Sequence, residues 1–386
     1  MALVSTRPQI DFAARIARLR GVLADQQLDA AVVMAPANIA YLSGFQALLY
    51  SRPIYLVVDA TRTELIVPGL EEEHATHADG IDAVHVYYEH PEKGTRGENA
   101  PDTLAARLQA IGARRAGLEY GSAPIALREH LEGRGLTTGN LSPAIIKMRL
   151  IKDEGEIALM RQAAALARIG VMATLEAAAP GQSQLAIESI GTNAILEAAP
   201  ELTPDATINL LQFTTSGPET SLPHLITTTR RLNRPDLAIH SRQVSVDGER
   251  AELERTFAIG SMDAQTRRVF DVAEEAQLAA IAACHPGTPM REVDAAARRV
   301  IQAAGFGEYS IHRTGHGLGI EAHEAPYIRW DVDEPLEVGM VVSIEPGIYI
   351  PAICGARHSD TVVVTASGPE TITDAPRGAE NLILDR

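Results

Sequence analysis

Apolar residues recur at helical spacing in IDFAARIARLRGVLADQQ, residues 10–27, which predicts an amphipathic helix. LDAAVVMA then runs apolar over a strand's length. PIYLVVDATRTELIVPG reads as two strands around the polar stretch Asp59 to Arg62. DTLAARLQAIGA returns to helical spacing and RRAGLEY to a strand. This alternation describes an α/β unit over residues 1–150. IKDEGEIALMRQAAALARIGVMATLEAAAPG follows, with acidic residues in its first turn and Pro-Gly as its stop. It predicts one long helix at a domain boundary. Two more helices are expected in TRRVFDVAEEAQLAAIAACHPG and MREVDAAARRVIQAAGFG, and strands in GMVVSIEPGIYI and DTVVVTASG. Helices among strands of antiparallel character give an α+β second domain over residues 151–386.

Composition narrows the function classes. With 386 residues, two domains and a large core are expected. The net charge of -16 opposes a nucleic-acid partner, since phosphate binding needs basic surface. No run of about 18 apolar residues occurs, so no membrane span is expected. MALVSTRPQIDFAARIARLR lacks the apolar core of an export signal, and Cys284 and Cys354 do not make a disulfide framework. Together these predict a cytoplasmic protein. The first domain has no G-x-G-x-x-G after a strand, so a nucleotide role is not supported.

Candidate chemistry concentrates in the second domain. SLPHLITTTRR holds His224, ERAELERTF holds Glu252, GHGLGIEAHEAP holds His316 and His323, and SIEPGIYI with ARHSD holds Glu345 and His358. Charged residues inside strand-like, otherwise apolar segments need partners or a function.

GHGLGIEAHEAP, GMVVSIEPGIYI and the turn into DTVVVT resemble the pita-bread family, which includes methionine aminopeptidase, aminopeptidase P, prolidase and creatinase. PANIAYLSGF and IKDEGEIALMRQAA are similar to its two-domain members, so the resemblance covers nearly the whole chain. It implies an α+β pita-bread catalytic domain behind a smaller α/β domain. The family's metallopeptidases hold two divalent ions with two Asp, one His and two Glu. Carried over, those positions are Ser241, Glu252, His316, Glu345 and Ser359. Two serines in place of carboxylates remove two anionic ligands from a dinuclear site. His240 and His358 stand beside those serines, but strand alternation sends adjacent residues to opposite faces. The expectation is therefore no metal and no other cofactor, with a single weak ion on Glu252, His316 and Glu345 left open.

Creatinase is the member without metal, and further stretches are similar to it. LERTF resembles its ALERT segment, His224 precedes a TTR sequence as the creatinase histidine does, and Arg52 and Arg329 fall where creatinase has arginines that hold the substrate carboxylate. A guanidinium fork suits a carboxylate. Where creatinase has a second Glu gripping the guanidinium of creatine, this chain has His358. The resemblance thus implies metal-independent hydrolysis of a non-peptide carbon–nitrogen bond, an amidine, guanidine or amide, in a small carboxylate-bearing substrate. Creatine and cyclic amidines such as ectoine both stay open as that substrate.

In this reading His224 is the acid/base, since imidazole both takes and gives protons near neutral pH. Glu252 orients the cationic centre or attacks it. Glu345 and the two histidines His316 and His323 stabilise the intermediate, while Arg52, Arg329 and His358 bind substrate. The resemblance also implies a homodimer, with Arg52 acting across the interface. Two alternatives remain: a metal-dependent Xaa-Pro aminopeptidase or prolidase with an atypical site, and a non-catalytic pita-bread binding module. For Glu252 a plain ion pair with Arg250 or Arg255 is the competing role.

Overall fold

The computed structural model describes residues 8–48, 51–90, 92 and 99–386. The chain divides into two compact units, Ile10–Arg149 and Leu150–Arg386. In the smaller unit, β1 (Ala30–Val33), β2 (Tyr55–Asp59), β3 (Thr63–Pro68), β4 (Ala83–Tyr87), β5 (Arg115–Leu118) and β6 (Thr137–Asn140) form a mixed sheet in the order β4-β3-β2-β1-β5-β6. β2 and β3 are the hairpin read from the sequence, antiparallel from Tyr55–Ile66 to Val58–Thr63. The helix expected at the start runs Phe12–Asp25, capped by the Asp11 side chain on the amide of Ala14.

The larger unit opens with the long boundary helix, α1 (Glu154–Ala177). Asp153 and Glu156 cap it reciprocally, so two otherwise unpaired amides are satisfied at its start. Among the described residues it alone has the length and mean hydropathy to cross a membrane, 1.2 over its most apolar window, yet half of that window is buried within the fold. Leu159, Met160, Leu166 and Val171 are all buried, as in a core helix. α2 (Gln184–Leu202) lies beside it, and α3 (Ala264–Ala283) pairs with α4 (Met290–Ala303).

The strands are β7 (Ile208–Ser216), β8 (Asp236–Val246), β9 (Glu249–Ile259), β10 (Gly315–Gly317), β11 (Glu324–Ile328), β12 (Val341–Ile344), β13 (Gly347–Ile350), β14 (Cys354–Arg357) and β15 (Ser359–Thr365). Seven of them make the path β11-β10-β12-β15-β9-β8-β7 of a nine-stranded sheet, and β13 pairs with β14 separately. Every pairing along that path is antiparallel.

The sheet is two-faced because side chains alternate along each strand. One set faces the helices. Arg242 of β8 donates to Thr174 of α1 and to the Glu188 carbonyl of α2, and Arg255 of β9 grips Asp360, which Gln277 of α3 also reaches. Behind them Val272, Ala276, Val293, Ile301, Val342, Ile344, Val362 and Val364 form an apolar core. Each fully buried Val or Ile there contributes about 1.5–3 kcal/mol. The opposite set of side chains builds the candidate site.

Candidate active site

The site begins with a turn. Asp247 and Gly248 join β8 to β9 at φ 48 and φ 98, the pair of positive angles of a type I′ hairpin, which Asp-Gly supplies. That turn sets the register. Gln243 stands opposite Glu252, and Ser241 opposite Glu254. From the other side β15 brings Ser359 opposite Glu254, and β12 brings Ser343 opposite His316 of β10. Period-two alternation then aims Gln243, Glu252, Glu254, Ser359 and Ser343 to one face.

Glu252 is buried at the centre of this face. Its carboxylate accepts from Gln243 Nε2, from Ser343 Oγ at 3.1 Å and from Ser359 Oγ at 2.6 Å. Its amide donates to Thr361 Oγ1. Arg255 cannot be its partner, since it points to the other face and pairs with Asp360.

The histidines stand next to it. His316 is fully buried, with Nδ1 2.9 Å from the Gly317 carbonyl. Nε2 lies 3.2 Å from Glu345 Oε1 and 4.0 Å from Glu252 Oε2 without completing a hydrogen bond. His323, more exposed, stacks on His316 with ring centroids 3.6 Å apart. Gly315 allows this strand its place: a Cβ there would sit 2.1 Å from the Ser343 carbonyl oxygen. Burial opposes charge on His316, but Glu345 and then Glu252 raise its pKa above the usual imidazole value. Burial and then His316 lower that of His323. Burial also opposes charge on Glu345, yet His316 and Arg357 hold its carboxyl far below the usual range.

A second buried network adjoins the first. Arg357 donates to Glu254 Oε1 at 2.6 Å and Oε2 at 2.9 Å, and its Nε lies 3.7 Å from Glu345 Oε2. It also donates to Tyr349 Oη at 3.2 Å, and Tyr349 Oη is 2.9 Å from His312 Nε2. Burial pushes the Glu254 carboxyl up to about 6, while the same carboxyl holds the guanidinium charged against burial. The two short hydrogen bonds favour the ion pair at neutral pH. Burial lowers the His312 pKa, so its ring is neutral. Glu254, Arg357, His312 and Tyr349 were missed by sequence reasoning. The signal was present: Glu254 lies two residues past Glu252 and Arg357 two before Ser359, so each shares its face.

The other expected residues fall in three places. His224 lies in an exposed loop rather than on a strand, close enough to His312 to depress it. His358 does not reach this face. It is fully buried on the helix side, edge-on to Phe270 of α3 at 5.0 Å, with neither ring nitrogen hydrogen-bonded. Its expected role in substrate binding is therefore corrected, by the alternation that already sets His240 apart. Arg329 is half-buried and bonds to Asp331. Arg52 lies in the smaller unit, bonded to Glu89 at 2.7 Å.

The donor set fits one divalent cation and not two. The ligand atoms of Glu252, His316 and His323 lie within 4.8 Å of one another. His316 Nε2, buried and without a hydrogen bond, is aimed among them beside Glu345. Two imidazoles and carboxylates are an ordinary set for a single zinc-like ion. Ser359 instead uses its proton on Glu252, and Ser241 faces Glu254, so neither position offers an anionic oxygen.

Residues 158–366 match the family model of metallopeptidase family M24, and residues 15–151 that of the creatinase/prolidase N-terminal domain. The Xaa-Pro dipeptidase of Pyrococcus furiosus is 28% identical over 94% of this chain and 98% of its own length. Among solved structures, the Xaa-Pro dipeptidase from Bacillus anthracis superposes with a TM-score of 0.84 at 26% identity, covering 97% of this chain and all of that one. A recombinant prolidase from Thermococcus sibiricus gives 0.85 at 27%, over 96% of this chain and 98% of that one. These relatives overturn the creatinase-like expectation. They are named for cleaving dipeptides, so neither metal-independent cleavage of a non-peptide bond nor a small non-peptide carboxylate as substrate stands. The expectation of a pita-bread α+β fold stands, and the chain belongs to metallopeptidase family M24.

Proposed function

We propose that this chain is a dipeptidase of the Xaa-Pro type that works with a single divalent cation. The observation that carries the reading is the convergence of Glu252, His316 and His323 within 4.8 Å, with Glu345 beside His316. Near full-length similarity to proteins named Xaa-Pro dipeptidase supports the substrate class.

A divalent cation in such a set supplies Lewis-acid polarisation of the scissile carbonyl. The chain's own residues do the rest. Gln243, Ser343 and Ser359 hold the Glu252 carboxylate in one orientation, so no reorganisation is needed when charge develops beside it. His312 keeps its Nδ1 proton on the Arg313 carbonyl, 2.7 Å away, and so accepts from Tyr349 at Nε2. That chain ends on Arg357, fixing the wall nearest His224. To His224, exposed in the turn after Pro223, we assign the proton transfer to the leaving nitrogen.

The test is hydrolysis of a dipeptide panel by protein loaded with Mn²⁺ or Co²⁺, read as free proline or free amino acid. Turnover of Xaa-Pro members is expected, and its loss in Glu252→Gln. No turnover of any dipeptide with either ion overturns the reading.

A further inference from the structure

We propose that Lys152, just before α1, is a positioning residue for the candidate site: its ion pair with Glu324 holds His323 against His316. As far as it concerns a bound ion, the inference rests on the single-cation reading above. Its first support is the ladder. His316 of β10 stands opposite Tyr327 of β11, and a regular antiparallel continuation would set Gly317 opposite Pro326. Gly317 instead stands opposite Glu324, so the register slips beside His316 itself. His323 lies one residue before β11 begins, beyond that slip. Strand pairing therefore does not fix its ring at 3.6 Å from the ring of His316.

The second support is the pair. Lys152 Nζ donates to Glu324 Oε1 at 2.8 Å, and only 1% and 6% of the two side chains are exposed. Charges this deep persist when each has its opposite, and a charge-assisted hydrogen bond is directional. Lys152 is held at its own end as well. Its amide donates to the Gly339 carbonyl at 2.9 Å, and the reciprocal cap of α1 starts at the next residue, Asp153. The ammonium is thus a fixed post to which Glu324, the neighbour of His323, is tied.

The third support is the turn. Glu324 Oε2 accepts from the Glu321 amide at 3.3 Å, and the Gly319 amide donates to the Glu321 carbonyl at 3.2 Å. The Arg250 amide of β9 donates to the Gly319 carbonyl at 3.0 Å. The segment from Gly319 to Glu324 therefore folds around the carboxylate that Lys152 holds. At Gly319 a Cβ would lie 3.1 Å from both Glu324 Oε1 and Lys152 Cε and 3.3 Å from Glu249 Oε2. Without the ammonium, Glu324 is left buried beside Glu249, and the turn has reason to open and carry His323 away.

Mn²⁺ affinity of the chelator-stripped full chain, read by calorimetry in a double-mutant cycle, tests this. The proteins are wild type, Lys152→Met, His323→Ala and the two combined. Lys152→Met should weaken binding about 10–100-fold. Once His323 is gone it should cost no more than about twofold, because both residues act through one ligand. Lys152→Arg should recover most of the affinity. Equal losses in both backgrounds, the mark of a general structural role, overturn the proposal, and so does a folded Lys152→Met with wild-type affinity. The stripped protein supplies a readout without any ion. Ring-carbon NMR signals of His316 and His323, assigned through His316→Ala and His323→Ala, should move in Lys152→Met and return in Lys152→Arg; unmoved signals overturn the proposal. A wild type that binds no ion defeats the dipeptidase reading, and the ring signals still decide on Lys152. Circular dichroism checks folding. If Lys152→Met does not fold, Glu324→Gln takes its place in both measurements with the same expected results.

Discussion

Ser359 donates a 2.6 Å hydrogen bond to Glu252, so a position that would carry a ligand in a two-ion site here anchors a ligand instead. Ser343 reaches the same oxygen at 3.1 Å. Ser359→Ala therefore removes one of several donors to a buried carboxylate. It should destabilise the protein by about 1.5–3 kcal/mol in urea unfolding, as expected for a hydrogen bond to a charged group. A variant as stable as wild type would show that Ser359 is a filler.

The two histidines of the opening motif should separate in a binding experiment. His316 is buried with Nε2 among the carboxylates, whereas His323 is more exposed and stacked outside it. His316→Ala should abolish Mn²⁺ binding in calorimetry, and His323→Ala should weaken it by about 10–100-fold, the range for a supporting partner. Equal effects would contradict the order of burial.

The buried histidines on the helix side make stability pH-dependent. Burial, and then Arg255 and Arg377, holds His358 well below the usual imidazole range, and burial with Arg242 does the same to His240. A histidine depressed in the fold is protonated first in the unfolded chain. Its stabilisation is thus present above about pH 6.5 and is lost as pH falls, by at most about 1.4 kcal/mol per pH unit per group. Wild type should lose melting temperature between pH 7 and pH 5, and His358→Leu should lose less. Parallel curves would show that His358 does not titrate on unfolding.

Much of this was readable in the chain. Local signals carried the fold: Asp153 with Glu156 marked the start of α1, and Asp59 to Arg62 marked the turn of the first hairpin. His316, His323 and Glu345 were readable because their motifs are short and dense. Glu254 and Arg357 were not singled out, because their meaning lies in cross-strand register: Glu254 matters through Ser241 and Ser359, each far from it in sequence. His358 was misplaced because it stands where creatinase has its second Glu, and that resemblance outweighed the face that alternation gives it. The function was misread because two serines in place of two carboxylates were taken to favour a metal-independent site over the single ion left open, when the remaining donors still converge.

The register itself can be tested at the turn. Gly248 adopts φ 98, a region closed to β-branched residues. Gly248→Val should cost about 1–3 kcal/mol and reduce Mn²⁺ affinity along with stability, because Gln243 and Glu252 meet only in this register. Gly248→Asn should be far milder. A valine variant with unchanged stability would contradict the turn's role.

The central claim is a dipeptidase with one cation, and an activity titration tests it most directly. Chelator-stripped protein is assayed on an Xaa-Pro dipeptide while Mn²⁺ is added in measured equivalents. Activity should be absent at first and should rise to its plateau at one equivalent per chain. A plateau reached only at two equivalents, or full activity in the stripped protein, would contradict the account.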